Sequence, residues 1–323
     1  MNLAKLRASM IGTLAALIGL STLILAVILS LLGIMNLAAL ISFVVMFNVI
    51  QWLIAPYIID AMYGVKEMPE TVSPRLHGMV QRLCRKIGIQ TPKLMLSNIP
   101  IPNAFAYGSP LTGSRVALTR GLLETLEEEE VEAVIGHELG HIKHKDMQVM
   151  MFASVIPAIF YYIGYSLIYS GWQGGYGGRR DRDQGGAALL GLGALAAYWI
   201  LNLFVLGLSR LREYYADRLS AESVEDGARK LSEALAKISS YTGKIKRRYG
   251  GLGSLGSFKA LFIDDPDRAE INTELLSMGA PRDEALVREI LERRVTLTDR
   301  IMEILSTHPN IVKRLRALQE LQR

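Results

Sequence analysis

Cysteine is all but absent: Cys84 stands alone in 323 residues. That excludes an internal disulfide and fits a reducing compartment. Histidine is scarce too, five in all, and aromatic residues make up 7% of the chain. The net charge of +5 has no aromatic-interleaved basic patch beside it, so no nucleic-acid partner is expected and the excess reads as membrane-surface and topogenic charge. Charge itself is missing from long stretches. From Ala8 to Ile59 there is no Asp, Glu, Lys, Arg or His. A helix needs about 20 apolar residues to cross a bilayer, so this segment holds two spans, joined at Leu31 to Asn36. A secretory signal peptide is the poorer reading, because the first apolar run is too long and leads straight into a second.

Two further uncharged runs, Met147 to Gly178 and Gln184 to Ser209, flank the polar insert Arg179 to Asp183. Their length favours membrane spans over a buried hairpin in a soluble core, for about four spans in all. Half the residues are hydrophobic and the mean hydropathy is +0.24, which agrees with a membrane class. The glycine-rich stretch Gly174 to Gly178 reads as a loop, since no strand and helix bracket it as a phosphate cradle requires. The expected organisation is two transmembrane helices in 8–59, the first part of a soluble domain in 60–146, a transmembrane hairpin in 147–209, and a second, mostly helical soluble part in 210–323. The soluble pieces together hold roughly 200 residues, enough for one or two ordinary cores.

Within the first soluble piece, Ser73 and Pro74 open a helix whose apolar residues keep helical spacing until Gly88. Short β-like runs follow at Leu94 to Ser97, Ala104 to Gly108 and Arg115 to Thr119. Then comes a single helix expected from Thr125 to Lys145, acidic in its first turn as the dipole prefers. The fold class is therefore α+β: a small mixed sheet packed on a long helix, about four transmembrane helices, and a helical C-terminal part.

That long helix carries "HELGH". Residues four apart share a face, so His137 and His141 can turn ring nitrogens toward one metal ion. Glu138 then stands beside the metal, where a general base for a metal-bound water belongs. His144 is rejected as a ligand, because it lies roughly 10 Å along the axis from His137. A catalytic zinc takes a third protein ligand from elsewhere. "SRLREYYAD", Ser209 to Asp217, offers Glu213 for that place and Asp217, one turn on, to hold the far nitrogen of a ligating histidine. Taken alone, Glu-x-x-x-Asp is a common solvated helix face. Its position counts for it: two crossings separate His141 from Glu213, which returns the chain to the side it left.

"HELGH", "SRLREYYAD", "PNAFAYG" at Pro102 to Gly108 and "STHPNIVKRL" at Ser306 to Leu315 resemble the motifs of HtpX-type membrane zinc metalloproteases, relatives of the CAAX prenyl proteases. The likeness runs through most of the chain in order and is loosest between Gly243 and Leu305. It implies a zincin-like endopeptidase with one Zn²⁺ on His137, His141 and Glu213, Glu138 as base, and Asp217 and Arg210 supporting the ligands. It also implies that Asn103, Ala104, Phe105 and Ala106 form an edge strand along which an extended substrate lies. His308 is placed beside the active site as an oxyanion donor, with Arg314 orienting it or the substrate. On local sequence alone His308 reads as a turn histidine before a terminal helix opened by Pro309.

The substrates implied are misfolded or membrane-associated polypeptides, in membrane quality control and stress response. The protein is expected in the cell membrane, multi-pass, with its protease domain facing the cytoplasm. Lys5, Arg7, Lys143, Lys145, Arg210 and Arg212 flank the spans on that side, while Arg179, Arg180 and Arg182 oppose it. Two other readings stay open. In an intramembrane protease of the site-two type the metal helix would be embedded, which Glu127 to Glu130 and Lys143 to Asp146 make costly. A non-catalytic membrane scaffold or transporter would want ionisable residues inside the spans, and the uncharged runs contain none.

Overall fold

In the computed structural model, residues 37–173, 184–249 and 283–322 are described. The chain divides into two units, Met1–Gln51 with Met151–Val205, and Trp52–Met150 with Leu206–Arg323.

Three helices among the described residues are long and apolar enough to cross a membrane: Ile41–Tyr63, Asp146–Tyr169 and Ala188–Ser223. They belong to α1 (Leu37–Tyr63), α5 (Asp146–Gln173) and α6 (Gln184–Ser223). The structure therefore shows three of the four expected spans. The remaining one, with the connection Leu31 to Asn36, lies outside the described residues, as do Gly174 to Gly178 and the insert Arg179 to Asp183. Phe47, Phe152, Ile156, Leu190 and Phe204 are exposed, which suits a face turned to lipid and not to water. In the first unit, Val44 and Tyr162 pack with Phe43, Ala158 and Ile159. Gly164 and Gly191 let α5 and α6 approach so closely that a Cβ on Gly164 would sit 2.8 Å from the Gly191 carbonyl oxygen. Small residues at such crossings are how membrane helices gain packing.

The second unit is built on a four-stranded sheet in the order β1-β2-β4-β3. Its strands are β1 (Lys66–Glu67), β2 (Lys93–Ser97), β3 (Ala104–Ser109) and β4 (Gly113–Thr119). β2 and β4 run parallel; β1 and β3 are antiparallel to their neighbours, in the register Lys66 to Leu96 and Ala104 to Leu118. Period-two alternation separates the faces. Ala104, Val116 and Leu118 enter the main core, whereas Phe105, Tyr107 and Ala117 join Tyr63, Val65 and Met95 on the other side. β1 is the one strand without a signal in the sequence, since its two residues are too few to show a period.

The helix from Ser73 is present as α2 (Pro74–Ile87), with proline in its first turn and Gly88 ending it at φ 76°. The helix expected over Thr125 to Lys145 is present as α4 (Glu128–Lys143), with a short α3 (Arg120–Thr125) before it. The break falls at Leu126 and Glu127 because Glu127 caps α4: its N–H donates to Glu130 Oε2 at 2.8 Å in a capping box. Val131, Val134, Ile135 and Leu139 of α4 lie in the main core with Leu231 and Leu235 of α7 (Gly227–Tyr249) and Leu315 and Leu318 of α10 (Ile311–Leu321). Two further helices, α8 (Asp283–Glu292) and α9 (Leu297–Ile304), precede α10. α10 is capped by Asn310, whose Oδ1 accepts from Val312 N–H at 2.9 Å, rather than opened by Pro309.

Candidate metal centre

α4 is buried without a break from Ala133 to Gly140, and two glycines explain how closely α6 crosses it. A Cβ on Gly140 would stand 2.8 Å from Ala216 Cα, and one on Gly136 would stand 3.1 Å from Ser220 Oγ. Ser220 Oγ in turn donates to the Ala133 carbonyl at 2.6 Å. A side chain at position 140 would force a shift and one at 136 would be tight, so the two glycines set the face of α4 bearing His137 and His141 close against the face of α6 bearing Glu213 and Asp217.

The three expected ligands do meet. The donor atoms of His137, His141 and Glu213 all lie within 4.8 Å of one another. His137 Nε2 and His141 Nε2 are 3.2 Å apart, with Glu213 Oε2 3.7 Å from the first and Oε1 3.5 Å from the second. Glu138 is buried beside them. His144 is exposed at the end of α4, its ring 5.9 Å from that of Tyr215, and takes no part.

Each ring is held from behind. His137 Nδ1 stands 2.9 Å from Asp217 Oδ1, in contact though off a well-aligned hydrogen-bond line. Arg314 donates to the same carboxylate twice, Nε to Oδ2 at 2.9 Å and Nη2 to Oδ1 at 2.6 Å. His141 Nδ1 lies 2.6 Å from Asp146 Oδ2, and Arg212 Nη2 is 2.7 Å from that oxygen while its Nη1 donates to the Asp146 carbonyl at 2.7 Å. In the sequence Asp146 is only a charge beside a span. No local signal marks it, since its partner histidine is on the preceding helix and its arginine is 66 residues away.

α6 is 40 residues long, about 60 Å at 1.5 Å per residue, and the hydrocarbon core is about 30 Å thick. The helix is thus longer than one crossing needs, and its charged part, from Arg210 on, is the part suited to lie outside the hydrocarbon. There, burial pushes the Glu213 and Asp217 carboxyls up, but the facing His308 and Arg314 for Glu213, and Arg314 for Asp217, outweigh it and hold both below the usual carboxylate range.

The residues fit a divalent cation. A carboxylate behind each ring only accepts, so the proton belongs on Nδ1 and the Nε2 lone pairs converge. Two lone pairs at 3.2 Å repel without a cation between them, and two nitrogens on one tetrahedral zinc stand about 3.3 Å apart. Glu213 Oε2 is buried and accepts no hydrogen bond.

The two expected arginines make the following contacts. Arg314, expected to orient His308 or the substrate, is 1% exposed and spent on Asp217, with Nη1 3.3 Å from Glu213 Oε2. Arg210, expected behind the ligands, donates through Nη1 to the carbonyls of Glu303, Ile304 and Ser306 at 2.8, 3.0 and 2.8 Å. It ties down the segment leading to His308, whose Nε2 is 3.8 Å from Glu213 Oε1 and whose Nδ1 meets Thr307 Oγ1 at 2.9 Å. Asn103, Ala104 and Phe105 are buried and Ala106 half-buried, on the outer strand of the sheet, which packs against α4. Thr119 holds the start of that strand: its Oγ1 accepts from Asn103 N–H at 2.8 Å, and its N–H donates to the Asn103 carbonyl at 3.0 Å.

Helices long and apolar enough to cross a membrane, together with two histidines of a buried HExxH helix that meet a glutamate from a second helix, define a membrane metallopeptidase. The sequence matches peptidase family M48 over residues 70–322, and the chain belongs to that family. It is 36% identical over 286 residues to the "Protease HtpX homolog" of Thermoplasma acidophilum, covering 87% of this chain and 84% of that protein. It is 43% identical over 236 residues to the protein of the same name from Methanothermobacter thermautotrophicus, covering 72% and 86%. The crystal structure of S. mikatae Ste24p has the same fold, with a TM-score of 0.55 at 16% identity over 98% of this chain and 66% of that one. The resemblance read from the motifs is thus borne out at the level of family.

Proposed function

We propose that the protein is a zinc-dependent endopeptidase that cleaves extended segments of misfolded or membrane-associated polypeptides at the cytoplasmic face of the membrane. The observation that carries this reading is the meeting of two Nε2 lone pairs with the buried carboxylate of Glu213. Two imidazoles and a carboxylate are the donor set of hydrolytic zinc.

Zinc, when bound, lowers the pKa of water to about 7 and polarises the scissile carbonyl. The chain's own groups do the rest. Glu138, one position from His137 and buried, takes the proton of the attacking water and passes it to the leaving amine. Asp217 and Asp146 keep the His137 and His141 rings turned with Nε2 inward. β3 has one strand partner, β4, among the described residues, so its outer edge can take a peptide in antiparallel pairing beside α4. Because Ala104 and Phe105 are buried, main-chain hydrogen bonds dominate that contact, in keeping with broad substrate choice.

Removal of the metal tests the reading directly. The detergent-purified protein should hold one zinc per chain and cleave an unstructured polypeptide such as casein. Chelation should abolish cleavage and zinc should restore it; cleavage that survives complete stripping would refute a metal-dependent site.

His308 is the donor assigned to the developing oxyanion, since neither His137 nor His141 can donate Nε2 to it while ligating. His308→Ala should lower turnover about 10²-fold with zinc content unchanged, the scale of one lost oxyanion donor. Normal turnover would return His308 to a structural role.

The cytoplasmic placement rests on the basic residues beside the spans, Lys143, Lys145, Arg210 and Arg212. In intact cells an impermeant thiol reagent should label a cysteine replacing Gln184 and spare one replacing Gln322. The reverse pattern would invert the topology.

A further inference from the structure

Helix α9 is built inside out for a helix in water. Leu297 is 76% exposed, Ile301 61%, Ile304 49% and the following Leu305 49%. Spaced four, three and one residues apart, they form one face. Thr298 and Arg300 are exposed at the edges of that face, and the two acidic residues turn the other way. Glu303 is buried, its Oε1 accepting from Asn310 N–H at 3.2 Å and its Oε2 paired with Lys313. Asp299 is half-buried, capping Thr296 and facing Arg293. Scattered exposed apolar residues need no explanation, but a contiguous apolar face opposite a polar interior does.

Its position says what covers it. The C-terminal end of α9 is fastened to Arg210 by the three carbonyl contacts at Glu303, Ile304 and Ser306. Arg210 is the first ionisable residue after the uncharged run Gln184 to Ser209. It therefore marks the edge of the hydrocarbon, where arginines gather on the cytoplasmic side. Arg300 is exposed on α9 and Arg294 in the connection just before it, and basic residues near an apolar face complement anionic headgroups.

We propose that Leu297–Leu305 is an interfacial helix, lying in the membrane plane with Leu297, Ile301, Ile304 and Leu305 in the boundary between headgroups and acyl chains. The segment Ser306–Asn310 follows immediately, so the bilayer and Arg210 together hold His308 toward Glu213. Lipid becomes part of what seats the active-site segment, and the substrate edge is brought to polypeptide at the membrane surface.

The test uses the full chain in vesicles of phosphatidylcholine and phosphatidylglycerol, in a Cys84→Ala background. An environment-sensitive fluorophore is placed on Ile301→Cys, again on Leu297→Cys, and on Glu320→Cys of α10 as the control. Lipids with a nitroxide high on the acyl chain should remove most of the emission at 301 and 297 while leaving 320 unaffected, and aqueous iodide should do the reverse. Iodide quenching at 301 and 297 would overturn the proposal by placing the face in water. Protection from both quenchers would overturn it as well, by showing protein over the face, either 250–282 or a second copy. The readout needs no catalysis, so a failed peptidase reading leaves it standing and its own failure leaves the peptidase reading untouched.

Discussion

Glu138→Gln should keep its zinc and lose peptide hydrolysis by about 10⁴-fold, the upper end of what a general base contributes. That corresponds to about 5.4 kcal/mol of transition-state stabilisation. The substitution keeps the shape of the side chain in its buried place on α4 and leaves the donor atoms of His137, His141 and Glu213 alone. It removes only the capacity to take a proton. Metal analysis and casein cleavage on the same preparation separate the cases: retained cleavage would move the base elsewhere, and lost zinc would make Glu138 part of the donor set.

Arg314→Met is expected to act on stability before it acts on substrate. Its guanidinium is fully buried, gives two hydrogen bonds to Asp217 and stands beside Glu213. Removing it strands two buried carboxylates, and breaking a buried pair from one side costs about 3–5 kcal/mol. For a unit of this size that lowers the unfolding midpoint by roughly 10 °C. Zinc content should fall with it, since Asp217 no longer holds His137. A variant with an unchanged midpoint and a raised KM would restore the direct substrate contact expected from sequence. Adding Asp217→Leu should recover part of the midpoint and none of the zinc.

Much of the site is legible along the chain itself. HExxH puts two imidazoles on one helix face by period alone, and the chemistry of zinc asks for a third ligand and a base. The uncharged runs and the β-like stretches at Leu94, Ala104 and Arg115 are local signals too, and the three stretches lie in β2, β3 and β4. Partnership is not legible in the same way. Arg314 and Asp217 are 97 residues apart, Arg210 and Ser306 are 96 apart, and nothing in either neighbourhood names the other.

Membrane class, three of the four strands and the faces of α4 follow from the order of residues alone, because hydrophobic period and chain length act over a turn or a strand. Tertiary packing set which carboxylate backs which histidine, buried Arg314 against Asp217, and put Arg210 on the carbonyls that lead to His308. It also explains why Gly140 stands where it does: a Cβ there would meet the Ala216 backbone at 2.8 Å and push α6 away. Such choices depend on which surfaces meet at ångström range after the chain has closed on itself, and a period along the chain carries no record of the element that will lie across it.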